Sequence, residues 1–371
     1  MSDPALLKHS PLESAHAASG ARMVEFGGWL MPVQYSGIID EHKAVRSSAG
    51  MFDISHMGEV TVEGPGALTW LESLLTNRAG KLAVTRGQYT LMLDERGGVI
   101  DDLIIYRTGE MSYFLVINGA CRDLDLEWMR SRLPSDGSVV LKDLGNDYAA
   151  IALQGPDSEK FLRALYRDCE VPRRNGIAPL MTSESGVPSL VARTGYTGED
   201  GFELFVPVAE GIALWERLVA AGVKPCGLGS RDTLRLEMGY PLNGSDLSRE
   251  RTPLEAGLDK FTGVDDPEKG DFCGRKALEL QRSAGLPSRL APLKLIVQGP
   301  PLRSHYPVHC DGKVIGETCS GALSPSLGEG IAMAYLPPDL SAPGTAVEIE
   351  VRGRLFAATI TTLPFYKKPA S

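Results

Sequence analysis

Between Gly87 and Arg107 the chain reads GQYTLMLDERGGVIDDLIIYR, and no other stretch constrains the fold as tightly. Tyr89 to Leu93 combines an aromatic, a threonine and large apolar residues, which predicts a strand. Asp94-Glu95-Arg96-Gly97-Gly98 interrupts it as a turn, because paired glycines accept positive φ without steric cost. Val99, Ile100 and then Leu103 to Tyr106 resume a β-branched, apolar run. Two carboxylates, Asp101 and Asp102, sit in the middle of this second arm. Successive strand side chains point to opposite faces, so a regular strand turns one of the two toward whatever packs on the sheet. A carboxylate there is costly unless it is paired or lines a cavity, which makes the pair a candidate site. Alternation alone leaves open which acid that is, and a surface hairpin with a bulge and two solvated acids is the alternative.

At 371 residues the chain exceeds one ordinary core and predicts two or three domains. Its 43 % apolar and 23 % charged residues place it among globular chains, not disordered or membrane ones. A net charge of -9 speaks against nucleic acid as a main partner, since phosphate binding favours a basic field. No apolar run is long enough for a bilayer span. The N-terminal MSDPALLKHSPLESAHAASG has neither a basic-then-apolar signal nor an Arg-rich presequence, which predicts a cytoplasmic protein. Six scattered cysteines without a CxxC pair predict buried or free thiols, not disulfides, an iron–sulfur site or a zinc site.

Along the chain, Leu6 to Gly20 predicts a poorly ordered arm and Arg22 to Tyr35 a loop-like surface turning at Gly27-Gly28. A short helix follows over Ile38 to Ser47. Met51 to Val62 is strand-like, with His56 in a polar break, and Pro65-Gly66 opens an amphipathic helix. Tyr113 to Asn118 predicts a strand and Asp123 to Leu133 a helix. Val139 to Leu144 and Tyr148 to Leu153 predict an antiparallel pair, after which Gln154-Gly155-Pro156 opens a helix through Leu165. A glycine-rich loop from Thr194 to Gly201 feeds a strand from Phe202 to Pro207. Helices are expected over Gly211 to Ala221, over Arg231 to Met238 with Ser230 as N-cap, and over Gly274 to Arg282. The pattern is α+β of split β-α-β type. It lacks the Gly-rich phosphate loops of dinucleotide and P-loop folds, so no nucleotide is expected. From about Pro292, six short strands between Gly/Pro turns predict a small β-barrel or sandwich. The expected division is 1–285, with two interleaved α+β domains, and 286–371 as the barrel domain.

Three polar groups stand in demanding contexts: Asp101/Asp102, the loop and strand from Thr194 to Glu203, and Arg231-Asp232 at a helix start. Glu203 is either a functional acid or the wet face of an edge strand. Arg231 is either functional or paired with Asp232 or Glu237, although the helix dipole disfavours a cation in a first turn. Metal binding is not expected: Pro307 keeps His305 and His309 off one helix face, and no carboxylate completes a set. His42 and His56 read as satisfied structural histidines. Acyl chemistry lacks a GxSxG elbow or a Cys–His pairing.

Taken in order, FGGWLMPVQY, GMFDISHMGE, GGVIDD, ALQGP, RTGYTGEDGFE, GLGSRDTLRLE, SGALSPSLGEGIAMAY and PFYKK resemble the aminomethyltransferase (T-protein) family of the glycine cleavage system over nearly the whole chain. The resemblance implies a three-domain cloverleaf folate-binding fold with a C-terminal β-barrel domain. It implies Asp102 as the catalytic aspartate, Tyr89 beside the pterin and Asn118 lining the same cavity. It further implies Tyr196 and Glu203 as the loop tyrosine and strand glutamate of the folate site, the glutamate reading the pterin's amino and ring N–H donors. Arg231 is implied on the folate side. Tetrahydrofolate is the implied co-substrate, with neither metal nor nucleotide. The implied donor is the aminomethylated lipoyl arm of the H-protein, working with glycine decarboxylase (P-protein) and dihydrolipoyl dehydrogenase (L-protein). The products would be ammonia and 5,10-methylenetetrahydrofolate. Arg22, Arg46 and Lys367-Lys368 are the cations available for carrier docking. Two rivals share the scaffold: a folate-dependent demethylase, often with a flavin domain, and an iron–sulfur maintenance protein, whose KGCYxGQE signature is replaced here by RTGYTGED.

Overall fold

The paired-glycine hairpin forms as its composition requires. In the structure, a computed structural model describing residues 7–181 and 187–368, Gly87–Leu93 and Val99–Gly109 are strands. Asp94 organises the turn between them: its backbone N–H donates to the Gly98 carbonyl at 2.9 Å. Its Oδ1 accepts from the Arg96 and Gly98 amides at 2.9 and 3.1 Å, the side-chain-to-backbone bonding for which aspartate is favoured in turns. The chain divides into two compact units, Met1–Thr90 with Asp102–Arg231, and Leu91–Asp101 with Asp232–Ser371.

In the first unit, Tyr148–Gln154 and Gly201–Pro207 pair antiparallel at the heart of a six-stranded sheet. Ser189–Ala192 flanks them on one side and Gly50–Asp53 on the other. One face of this sheet presents Ile151, Leu153, Phe202, Leu204 and Val206, which bury against Leu214, Trp215 and Leu218 of the Val208–Ala220 helix. A second sheet runs in the order Gly87–Leu93, Val99–Gly109, Ser112–Ile117, Gly58–Glu63, Val140–Asp143. Phe114 of the second sheet meets Phe205 and Tyr148 of the first edge-on, at ring separations of 5.3 and 6.1 Å. These contacts pack Ser112–Ile117 of the second sheet against Tyr148–Gln154 and Gly201–Pro207 of the first.

In the second unit the six strands from Arg289–Leu295 to Arg354–Ile360 close into a barrel, one of the two forms the strand spacing left open and the one the family resemblance implied. Closure removes the sheet edges. Its interior is filled by Leu293, Val308, Ala334, Leu336, Ile349 and Ile360. The mixed helix-and-sheet class and the C-terminal barrel are therefore as expected.

Several local expectations fail. Leu6 lies outside the described residues, but the rest of the supposed arm is built into the fold: Lys8–His9 is a short strand and Glu13–Ala18 a helix. His16 is fully buried there, with Nε2 2.8 Å from Asp53 Oδ2 and Nδ1 3.0 Å from the Tyr35 hydroxyl. Arg22–Phe26 and Trp29–Gln34 form a hairpin around Gly27-Gly28, where a loop was expected, because β-pairing satisfies their backbone groups. The segments near Val139 and Tyr148 do not pair with each other: Val140–Asp143 joins Gly58–Glu63, while Tyr148–Gln154 crosses to the other sheet. The polar break at His56 likewise separates two strands, Gly50–Asp53 and Gly58–Glu63, that belong to different sheets. Among the described residues no helix is long and apolar enough to cross a membrane, no group of metal-ligating side chains gathers, and no disulfide joins any of the six cysteines.

Candidate active site

Cross-strand register places the first half of the site. Ile104, Ile105 and Tyr106 face Val116, Leu115 and Phe114, and extending that ladder by two residues sets Asp102 opposite Asn118. Opposed residues share a sheet face. The Asn118 amide accordingly donates to the Asp102 backbone carbonyl at 2.8 Å and to its Oδ1 at 3.1 Å. From the neighbouring arm, the Tyr89 hydroxyl donates to Asp102 Oδ2 at 2.9 Å. Asp102 remains half-buried, so its carboxylate is both oriented and reachable. Asp101, on the opposite face, is wholly buried and accepts from the Asn243 amide at 2.8 Å. The inward acid of the doublet is thus Asp101, paired as a buried carboxylate must be, while the accessible one is Asp102.

The second half begins at Glu203, which is no edge residue. Its strand lies inside the six-stranded sheet, where Glu203 is flanked by Ala152 and Ala192, two small residues that leave room for it. Glu203 is only 7 % exposed and shares its strand face with Phe205, the face turned toward the other sheet. Thr194 donates to Glu203 Oε2 at 2.5 Å, so its own oxygen accepts from the Tyr106 hydroxyl at 2.7 Å. Burial pushes the Tyr106 hydroxyl well above its ordinary pKa, which keeps the proton for that bond. Asp102 and Tyr106 lie four residues apart on one face of one strand, about 13 Å along it. The chain Tyr106–Thr194–Glu203 therefore ties the Asp102 strand to the Glu203 strand.

The glycine-rich loop is clamped by Gln154, a buried residue of the central strand. Gln154 donates to the Thr194 carbonyl at 3.0 Å and accepts from the Thr197 hydroxyl at 2.9 Å. A Cβ on Gly195 would lie 1.9 Å from Gln154 Oε1, so a side chain there would displace the Gln154 amide from its clamp. Arg46 holds the same loop, donating to the Thr197 carbonyl and to Glu199. Its side chain is committed to that loop, and the expectation of Arg46 as a docking cation is withdrawn.

Arg231 completes this half. Its helix starts at Leu228, three residues before the expected boundary, so Ser230 is not the N-cap. The buried Glu41 carboxylate binds this end of the helix, accepting from the Gly227 amide at 2.9 Å and the Ser230 hydroxyl at 3.2 Å. The expected ion partners of Arg231 are engaged elsewhere: Asp232 with Arg235, and Glu237 with Ser324 and Ser326. The Arg231 guanidinium instead lies over the Tyr196 ring, 4.9 Å from its centroid. Its Nη1 is buried with no hydrogen-bond partner among the described residues. Burial lowers its pKa, opposed by Glu203 and Tyr196, and burial raises that of Glu203, opposed by Thr194 and Arg231. The two charges feel each other without bonding directly.

The six residues singled out in the sequence thus fall into two groups, Tyr89–Asp102–Asn118 and Tyr196–Glu203–Arg231, on elements of one unit. Tyr106 and Gln154, which link and shape them, were missed, and Thr194 was marked only as the start of the polar loop, because their roles are created by contacts between distant segments with no sequence signature. His305 and His309 stay apart, paired with Glu317 and Glu350.

Residues 12–266 match the family model for the GCVT N-terminal domain, and 289–367 that for the glycine cleavage T-protein C-terminal barrel domain. The aminomethyltransferase of Geobacillus kaustophilus is 44 % identical, covering 98 % of this chain and 100 % of that protein. That of Symbiobacterium thermophilum is 46 % identical, covering 98 % of each. The crystal structure of glycine cleavage system aminomethyltransferase T from Bartonella henselae superimposes with a TM-score of 0.90 at 33 % identity, over 98 % of this chain and 99 % of that one.

Proposed function

Because the chain belongs to the glycine cleavage T-protein family, we propose that its two polar groups are the halves of one active site for aminomethyl transfer, with Asp102 as catalytic acid. The activity itself is the aminomethyl transfer of glycine cleavage. The observation that carries the assignment of the site is Arg231: a buried cation whose Nη1 has no hydrogen-bond partner among the described residues, set over an aromatic ring and not bonded to the Glu203 carboxylate whose charge it feels. A buried donor without a protein partner is costly, and a polar ligand at this position would satisfy it.

Tetrahydrofolate fits these residues as co-substrate. Glu203 has acceptor capacity beyond its bond to Thr194, suited to the adjacent N–H donors of a pterin ring, and Tyr196 offers an apolar face. When bound, tetrahydrofolate supplies the two nitrogens that take up the carbon unit as 5,10-methylenetetrahydrofolate. Asp102, oriented by Tyr89 and Asn118, places negative charge where a cationic one-carbon group develops and can hold a proton at its carboxylate oxygens. Holding both reactants in register supplies much of the remaining acceleration.

The proposed donor is the S-aminomethyl lipoyl arm of the H-protein, delivered within a system that includes the P- and L-proteins. Arg22 and Lys367-Lys368 are exposed and remain the candidate basic contacts. The test is to incubate purified protein with aminomethylated H-protein and tetrahydrofolate and to measure ammonia. Release should require both substrates. Turnover of free sarcosine without the carrier would instead assign the chain to folate-dependent demethylation.

A further inference from the structure

His56 lies in the short link between the two sheets, its side chain 6 % exposed and its ring edge-on to Phe26 at 5.8 Å. The expectation of a satisfied structural histidine fails, because Nδ1 is buried with no hydrogen-bond partner among the described residues. One contact places this imidazole beside the Asp102 group. A Cβ on Gly119 would come within 2.9 Å of His56 Cδ2, so the chain immediately after Asn118, the residue that orients Asp102, lies flush against it. His56 also feels the charge of Arg231, whose Nη1 likewise has no hydrogen-bond partner among the described residues. A buried polar atom without a partner calls for a ligand or water, and here two occur in side chains of one unit that feel each other electrostatically.

We infer that His56 is a further ligand-contacting residue of the folate site, where its imidazole and the Arg231 guanidinium together meet the ring carbonyl of the pterin. The inference rests on the reading of Glu203 and Arg231 as a folate site. The hydrogen-bonding edge of a pterin runs amino group, ring N–H, carbonyl: two donors followed by an acceptor. A carboxylate at Glu203 matches the two donors, and the acceptor beside them needs a donor from the protein. Arg231 can only donate, and a neutral imidazole donates through the nitrogen carrying its proton. Burial, with Arg231 beside it, lowers the His56 pKa to about 4 against the pull of Asp53, so the ring is neutral at physiological pH. A neutral ring avoids repulsion with the guanidinium while both address one oxygen.

The test is calorimetric titration of wild-type protein, His56→Leu and His56→Asn with tetrahydrofolate and with a reduced analogue carrying an amino group in place of the ring carbonyl. His56→Leu keeps bulk and removes the polar edge, whereas His56→Asn restores a polar atom near the position of Nδ1. Wild type should prefer tetrahydrofolate to the analogue. His56→Leu should lose roughly tenfold or more for tetrahydrofolate and little for the analogue, and His56→Asn should recover most of the loss. The apo His56→Leu protein should melt no lower than wild type, since an unsatisfied polar group has been removed. Equal binding of tetrahydrofolate by wild type and His56→Leu overturns the inference while leaving the folate site standing. Should His56→Leu not fold, equal wild-type affinity for the two ligands overturns it. Failure of wild type to bind tetrahydrofolate at all overturns the functional reading and this inference with it.

Discussion

Asn118 stands directly opposite Asp102 across two antiparallel strands and donates to it twice, once at the backbone carbonyl and once at Oδ1. With the Tyr89 hydroxyl on Oδ2, the carboxylate is bound through both oxygens by neutral donors, an arrangement that fixes direction without neutralising charge. Tyr89→Phe should therefore leave the fold intact and lower kcat more than it raises KM for tetrahydrofolate. A fall of about 10- to 100-fold is expected, the scale of one hydrogen bond to a charged group. Steady-state kinetics with varied tetrahydrofolate separates the two effects, and a change confined to KM contradicts the role.

Glu203 gives a prediction with opposite signs for binding and stability. Burial holds its folded-state pKa above the ordinary carboxyl value, so the native state binds the proton more tightly than the unfolded chain does. Its contribution to stability is therefore greatest at low pH and is lost as pH rises through the raised pKa. Glu203→Gln should leave apo stability at pH 8 unchanged or higher while weakening tetrahydrofolate binding by about 1.5–3 kcal/mol. Thermal melts and calorimetry at that pH check both signs.

For His56 the direction reverses. Its pKa falls from 6.5 to about 4 on folding, so the unfolded chain takes up a proton that the native ring refuses. Stability from this residue is complete above pH 6.5 and is lost as pH falls through 4, by roughly 3 kcal/mol in all. His56→Leu should flatten that part of the acid unfolding profile between pH 7 and 4. An unchanged profile in denaturant titrations across this range contradicts a buried neutral ring.

How far the molecule was legible in its sequence differs by level. The hairpin at Gly97-Gly98 and the barrel strands were readable because turn residues and β-branched runs carry local signals. The Ile38–Ser47 helix was read to the residue. Long-range pairing was not readable: nothing local tells Val140–Asp143 to join Gly58–Glu63, since sheet partners are chosen by shared burial. The anchoring of His16 by Asp53, and the clamp of Gln154 on the Thr194 loop, are side-chain contacts between distant segments and were equally invisible. At the site, the Asp101/Asp102 doublet announced itself as an unusual strand feature, but strand alternation could not say which acid would be reachable. The Arg231 signal was half readable, as a cation where a helix dipole disfavours one, although the helix begins earlier than its apparent cap suggested.

If the donor is a carrier-borne lipoyl arm, the protein surface must recognise that carrier despite a net charge of -9 on this chain. The full carrier should then show a higher kcat/KM than free aminomethyl-dihydrolipoamide, and added salt should narrow the gap as local basic contacts at Arg22 and Lys367-Lys368 are screened. Equal kcat/KM for the two donors at low salt shows that no protein surface is recognised.

The central claim is that Asp102 carries the chemistry and Asp101 the architecture. The most direct test is the single-turnover rate of ammonia release from aminomethylated H-protein with saturating tetrahydrofolate, compared between Asp102→Asn and Asp101→Asn. Asp102→Asn, half-buried and close in shape, should fold and bind tetrahydrofolate as wild type does, yet release ammonia slower by a factor of about 10²–10⁴. Asp101→Asn, fully buried beside Asn243, should change the melting temperature more than the rate. A folded, folate-binding Asp102→Asn protein that releases ammonia at the wild-type rate contradicts the account.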